Sequence, residues 1–304
     1  MIKGITDTKD MLRDRIFLRK AVMIALPVAL QGMLNTIVNL VDTMMIGQLG
    51  ETTIAAVGLA NKVFFVFSLL VFGVASGSGV LAAQYWGNQD EKNIRKVTGL
   101  ALLIALVGSL FFVIPSVMYP SAVMRIFTNS QGAIQIGAVY LAVAALSYPF
   151  TALTNIYVAM LRAVGRVKAP VVISCMTILI NITLNYALIF GHFGAPRLGA
   201  QGAAIATLTA RIVESGAILG VVYLTRSPIA GRFGELFGYG GAFVRQFVGT
   251  ASPVIANEFI WGLGTTMYSL AYGRMGDNAV ASITIATTIQ DIVVVLFQGL
   301  SAAT

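Results

Sequence analysis

Residues 25–50, ALPVALQGMLNTIVNLVDTMMIGQLG, are the stretch from which the fold class follows. They are mostly apolar, long enough as a helix to cross a bilayer, and end in a segment bounded by glycines. Four polar side chains at spacings of 4, 4 and 3 residues share one helix face: Gln31, Asn35, Asn39 and Asp42. A carboxylate within a span is costly unless it faces a cavity or a partner, so this face is expected to line a polar interior. The alternative is that Asp42 lies near enough to the helix end to reach interfacial water.

The composition of the whole chain, like this first helix, indicates a membrane protein. Of 304 residues, 57% are hydrophobic and only 11% are charged, and the mean hydropathy is +0.85. This composition predicts an all-α, polytopic membrane protein built as a helical bundle. The net charge of +8 comes from dispersed basic residues and does not indicate a nucleic-acid partner. Cys175 and His192 are the only residues of their types, which excludes an intrachain disulfide and a Cys/His metal cluster.

Eight apolar spans can be placed along the chain, separated by short loops that often contain glycine or proline. Their predicted limits are 21–46, 54–84, 97–118, 133–161, 169–191, 201–224, 243–272 and 279–304.

The basic residues give the orientation of these spans. Fifteen lie in the N-terminal segment and in the second, fourth and sixth loops, whereas three lie in the odd-numbered loops. Because Lys and Arg are enriched in cytoplasmic loops, the N-terminus is expected in the cytoplasm of a prokaryote, with the protein in the inner or plasma membrane.

An internal repeat is visible when the chain is shifted by 226 residues, since Pro27 then falls on Pro253 and three glycines also coincide. An even number of intervening spans makes the repeat parallel, as in some transporters. We therefore expect a six-helix lobe over 1–230, a linker at 231–241, and the first two helices of a second lobe over 242–304. The natural chain is then predicted to continue to about 450 residues. A native stop codon after Thr304, with full activity, would contradict this.

Further polar side chains lie in spans 5 and 6. Asn181 and Asn185 are one turn apart in span 5, where amides can either hold helices together or coordinate a cation. In span 6, Arg211 and Glu214 at i, i+3 can pair with each other, which favours a structural role for both.

Three acids in spans have no basic residue within a helical turn: Asp42, Glu258 and Asp291. A desolvated carboxylate of this kind can take up a proton or cation on one side and release it on the other. Other polar or aromatic side chains of the same spans are expected to line the substrate cavity: Gln31, Asn35, Asn39, Asn257, Trp261 and Gln290. No GxxxxGK[ST] or HExxH motif is present, so neither ATP hydrolysis nor another enzymatic activity is predicted.

Several distributed motifs resemble the multidrug and toxic compound extrusion (MATE) family. They are DTMMIGQLG after a proline in span 1, LRAVGRVKAP at 161–170, NITLN at 181–185, GAQGAAIAT at 199–207, and PVIANEFIWGLG in span 7. The resemblance implies two six-helix lobes around a central cavity. It further implies export of cationic, amphipathic compounds in exchange for Na⁺ or H⁺.

The resemblance also implies an ion or proton site in the first lobe. Its residues fall here on Asp42, Tyr140, Asn181, Asn185 and Thr207, with Asp42, Asn181, Asn185 and Thr207 as the ligands of any bound Na⁺. Some relatives carry Asp where this chain has Asn185, so one carboxylate is expected in place of two. The acid of span 7 falls on Glu258.

We therefore predict a monomeric secondary antiporter that works by alternating access, without a cofactor beyond its coupling ion. Its partners would be small cationic molecules and the lipid bilayer. A lipid-linked oligosaccharide flippase is the alternative from the same superfamily, but only Arg211 and Lys62 offer basic side chains within spans. A channel fits a large parallel repeat less well, and no nucleophile–base pair indicates a membrane enzyme.

Overall fold

The computed structural model describes Gly32 and residues 38–274. This part of the chain is built from α-helices joined by short turns. The helices are α1 (Val38–Gly47), α2 (Glu51–Gly87), α3 (Glu91–Met118), α4 (Pro120–Phe127), α5 (Gln131–Ala145), α6 (Tyr148–Ala163), α7 (Lys168–Phe190), α8 (Ala200–Leu224), α9 (Phe233–Phe237) and α10 (Gly241–Arg274). Residues 38–268 form one compact unit, and the contacts below belong to it.

Within the described residues, four helices have the length and hydropathy of membrane spans: α2, α3, α7 and α8. They agree with the second, third, fifth and sixth predicted spans to within three residues at each end, except that α3 begins six residues before its predicted start. The predicted seventh span corresponds to α10, which is 34 residues long. Only the end of the predicted first span is described, and the eighth lies outside the described residues.

The fourth predicted span, 133–161, is a bent pair of helices instead of one straight helix. α5 and α6 meet at Leu146 and Ser147 with a bend of 46°. Pro149 is the second residue of α6, and its ring cannot coexist with a straight helical path past the carbonyl of Ala145. The hydroxyl of Ser147 donates to the carbonyl of Ala144 across the bend at 2.6 Å. The apolar run alone did not reveal this break.

The core of the unit lies where α2, α3, α5 and α6 pack against one another. At its centre Phe67 of α2 stacks on Tyr148 of α6, with ring centroids 4.7 Å apart. Phe112 of α3 meets Phe67 edge-on. Helices α7 and α8 pack against each other, and α8 joins this core through α5 and α6. The bundle therefore brings the polar faces of α7 and α8 together beside the aromatic core.

Helix α10 approaches α2 closely at two glycines one turn apart. A Cβ at Gly73 would lie 2.9 Å from Ile255 Cα, and one at Gly77 would lie 2.8 Å from Ala251 Cα. Small residues at spacing four allow backbones within a bilayer to approach to van der Waals contact. These two glycines therefore determine how closely the two helices pack.

Substitution of Gly77 by Ala should destabilise the protein by about 1–3 kcal/mol, because the new methyl overlaps the α10 backbone. The measurement is thermal unfolding in detergent. Gly79→Ala is the matched control, since it adds the same methyl to the same helix with no atom within 4 Å. Equal melting temperatures for the two variants would mean that α2 and α10 do not depend on this contact.

The predicted linker, 231–241, contains the short helix α9 and docks onto the start of α3. Arg95 of α3 donates to the Pro228 carbonyl at 3.2 Å and to Glu235 Oε1 at 3.0 Å. The backbone N–H of Arg232, and then the Arg95 guanidinium, hold the pKa of Glu235 below its ordinary value. Lys96 lies 5.6 Å over the ring of Phe243, in the first turn of α10. The linker is therefore held against α3 through Glu235, and Pro228 before it and Phe243 after it contact the same end of α3.

Candidate functional site

Asp42 is bound to helix α7 through an amide. Asn185 Nδ2 donates to Asp42 Oδ1 at 2.6 Å and also to Asn181 Oδ1 at 3.2 Å. Asn181 and Asn185 are buried, with 8% and 1% of their surface exposed, whereas Asp42 is half-buried. The structure thus brings three predicted site residues, from two helices distant in sequence, into one network.

One atom of this network has no hydrogen-bond partner among the described residues. The Oδ1 of Asn185 is buried and accepts no hydrogen bond from any described residue. A buried carbonyl oxygen without a donor is costly, and this oxygen is free to accept a hydrogen bond or to coordinate a cation. Carboxylate and amide oxygens together suit a hard cation, and the carboxylate alone can hold a proton. Among the described residues, no group of three or more His, Cys, Asp or Glu side chains could hold a metal ion. Asp42 is the one carboxylate in the hydrogen-bonded network of Asp42, Asn181 and Asn185.

Tyr140 is buried in the core of the unit. Its hydroxyl donates a hydrogen bond to Asn61 Oδ1 of α2 at 3.3 Å. Asn61 is not among the site residues predicted from the sequence. The available signal was an amide next to Lys62 in an otherwise apolar span. This hydrogen bond joins Tyr140 of α5 to α2, and the role of Tyr140 at the ion site stays a prediction.

The predicted pair of Arg211 and Glu214 on α8 is confirmed. Arg211 Nη1 lies 2.6 Å from Glu214 Oε2. Glu214 is 5% exposed, and its other oxygen accepts a hydrogen bond from the Ser174 hydroxyl of α7 at 3.1 Å. Thr207, half-buried on the same helix, lies one turn before Arg211. Its role as an ion ligand stays a prediction.

The remaining predicted residues lie apart from the network or outside the described part. Glu258 is half-buried on α10, and its neighbours Asn257 and Trp261 are exposed. Asn39 is exposed on α1, where its carbonyl accepts from the Thr43 hydroxyl. The others fall outside the described residues: Gln31, Asn35, Gln290 and Asp291. Coupling and cavity roles for all of these stay predictions.

A protein-family profile and several curated proteins match this chain. The MatE family profile matches residues 27–187. The chain is 27% identical over 288 residues to the "Probable multidrug resistance protein NorM" of Thermotoga maritima, covering 94% of this chain and 61% of that protein. It is 31% identical over 196 residues to the "Probable multidrug resistance protein YoeA" of Bacillus subtilis, covering 64% of this chain and 42% of that protein.

Solved structures agree with the fold. A structure described as MATE in complex with MaL6 superposes with a TM-score of 0.83 at 22% identity, covering 93% of this chain and 62% of that one. A MOP superfamily transporter from Pyrococcus furiosus superposes with a TM-score of 0.83 at 21% identity, covering 99% of this chain and 66% of that one. The chain spans roughly three fifths of the length of these relatives.

Proposed function

The chain belongs to the MatE family of multidrug and toxic compound extrusion transporters, and from this membership we propose that it is part of a multidrug efflux antiporter. In this proposal it exports cationic, amphipathic compounds in exchange for an inward flow of Na⁺ or H⁺. The protein would act as a monomer in a prokaryotic cell membrane with its N-terminus in the cytoplasm. The names of its relatives, NorM and YoeA as probable multidrug resistance proteins, support the choice of substrate.

The observation that carries the proposal is the network of Asp42, Asn181 and Asn185. It places one carboxylate against the buried amide of Asn185, which also donates to Asn181, within a helical membrane bundle. The Oδ1 of Asn185 accepts no hydrogen bond from any described residue. A site of this kind can gain a monovalent cation or a proton and become neutral. The neutral and charged forms of this site differ greatly in the free energy that their burial costs. Binding of a cation or proton can therefore favour one packing of the helices over another.

The proposed transport cycle uses this difference in burial cost between the charged and the neutral site. A cation or proton enters Asp42 from the outer side, and Tyr140 and Thr207 complete its surroundings. Release to the inner side returns the charged form and favours the conformation that accepts a new substrate. Substrate would be held by the polar and aromatic groups of the predicted cavity, among them Asn257, Glu258 and Trp261. The direction of each step is set by the ion gradient.

An assay in inverted membrane vesicles tests this proposal. Vesicles containing the protein, expressed from its complete reading frame, should accumulate a fluorescent cationic dye when an ion gradient is imposed. Accumulation should saturate with dye concentration and stop when the gradient is dissipated. Vesicles without the protein are the control.

Separate proton and Na⁺ gradients identify the ion. Flux that does not saturate would indicate a channel, and flux that is independent of both gradients would contradict the antiport mechanism.

A further inference from the structure

The loop after α6 and the segment after α8 meet at one end of the helical unit. Arg166 Nη1 donates to the Thr225 hydroxyl at 3.1 Å and so joins the α6–α7 loop to the end of α8. The hydroxyl of Tyr223 donates to the Gly231 carbonyl, also at 3.1 Å, and joins α8 to the start of the linker. These two hydrogen bonds bring three segments that are separate in sequence into one continuous surface.

This surface carries a strong positive charge. Four exposed basic side chains form a basic end surface: Arg166, Lys168, Arg226 and Arg232. Arg162, one turn before Arg166, is half-buried and adds a further positive charge to the same end of α6. Glu235 is an acid of the linker, but Arg95 pairs with it and the backbone N–H of Arg232 also donates to it. The positive charge of the surface is therefore largely uncompensated by Glu235.

The start of α3, which packs against α9, does not reverse this balance. It carries two acids and three bases: Asp90, Glu91, Lys92, Arg95 and Lys96. Asp90 caps α3, and Glu91 pairs with Arg95. An anion that approaches this end of the unit therefore meets an excess of positive charge.

Large apolar side chains lie among these basic residues. Leu224, the last residue of α8, is 86% exposed, and Phe233, the first residue of α9, is 79% exposed. Because α8 has the length and hydropathy of a membrane span, its end lies where acyl chains give way to lipid headgroups. Lys168 is the first residue of the neighbouring span α7, and Arg226 follows Leu224 by two residues. The basic side chains are thus placed at the level of the headgroup phosphates.

We propose that the basic end surface binds the headgroups of anionic phospholipids, while Leu224 and Phe233 contact the acyl chains. Charge complementarity selects this occupant, since each Lys or Arg close to an anionic membrane strengthens the attraction about fivefold. A lipid bound here contacts both the α6–α7 loop and the start of the linker, so it stabilises the folded unit. The inference goes beyond the proposed function and does not depend on transport.

The test is thermal unfolding of the purified protein, expressed from its complete reading frame, in detergent with increasing amounts of phosphatidylglycerol. The melting temperature should rise and then saturate, because a ligand that binds the folded state stabilises it. Phosphatidylcholine with the same acyl chains carries no net charge and should give a much smaller rise. Inorganic phosphate should give none, which separates a lipid site from a site for free anions.

Lys168→Gln and Arg226→Gln each remove one charge from the surface. Within the described part of the chain, neither side chain makes a hydrogen bond or an ion pair, so the fold loses no contact. Each substitution should raise the half-saturating concentration of phosphatidylglycerol about fivefold, and the two together should raise it roughly twentyfold to thirtyfold. Lys168→Arg combined with Arg226→Lys keeps both charges and should stay within about threefold of wild type.

Arg125→Gln combined with Arg197→Gln is the matched control. It removes two exposed charges from the opposite end of the bundle and should stay within about twofold of wild type. An equal loss in this control would mean that net charge alone attracts the lipid, and would overturn the proposal.

Three other results would also overturn it: no rise in the melting temperature with phosphatidylglycerol, an equal rise with phosphatidylcholine or inorganic phosphate, or an unchanged half-saturating concentration in the Gln variants. If the double variant at Lys168 and Arg226 does not fold, the two single variants decide, because each is expected to move the half-saturating concentration by itself.

Discussion

Asp42→Asn should reduce gradient-driven efflux to the level of vesicles without the protein. The substituted amide keeps an Oδ1 that can still accept from Asn185 Nδ2, so the contact between α1 and α7 is retained. What is lost is the charge that binds a cation or proton. Because an amide is cheaper to bury than a carboxylate, stability should be unchanged or slightly increased. Efflux and thermal unfolding, measured on the same preparation, separate the two effects.

Asp90→Asn provides the matched control for this substitution. Asp90 caps α3 by accepting from the backbone N–H of Asn93 at 3.1 Å, and Asn caps helices about as well as Asp. This variant makes the same chemical change outside the polar network and should transport normally. Normal efflux by Asp42→Asn would instead mean that Asp42 is an interfacial residue. A loss of efflux in both variants would point to a general defect in assembly.

Gly99→Ala should detach the linker from the helical unit. A Cβ at Gly99 would overlap the carbonyl oxygen of Leu236 in α9, and backbone cannot move aside as a flexible side chain can. The clash should cost about 1–3 kcal/mol and displace α9 from α3. Arg95 would then lose its contacts with Pro228 and Glu235. Limited trypsin digestion should consequently cut after Arg232 faster than in the wild type.

Gly234→Ala, within α9 itself, is the control for Gly99→Ala because no atom lies within 4 Å of its added methyl. Cleavage after Arg232 should proceed at the wild-type rate in this variant. If Gly99→Ala is cut no faster than Gly234→Ala, then α9 is held by contacts other than its packing on α3.

Hydropathy was enough to predict the straight spans, because their apolar runs are long and the boundaries carry polar or glycine residues. The predicted 169–191 and the observed Lys168–Phe190 differ by one residue at each end. The bend before Pro149 was missed because a proline two residues into a new helix does not change the hydropathy of the run. Helix α4 was missed because its eight residues fall within a loop.

The candidate site was predictable in part for a similar reason. Asp42, Asn181 and Asn185 stand out as polar residues in apolar spans, and the i, i+4 spacing placed two of them on one face. The hydrogen bond between Asn185 and Asp42, however, joins residues 143 positions apart, and the spacing of residues within one helix cannot predict such a contact. Asn61 and Ser174 were missed because each acts through a partner on another helix.

The docking of the linker has a consequence for biosynthesis. Arg95 and Glu235 are separated by 140 residues, so the start of α3 leaves the ribosome long before the segment that covers it. At about 5–20 residues per second, this interval lasts roughly 7–28 seconds. During that time Arg95 can pair with Glu91, one turn earlier on its own helix. The linker can therefore cover the start of α3 only after translation has passed residue 235. A ribosome that stalls between α8 and α9 would hold a set of spans in which the start of α3 is still uncovered.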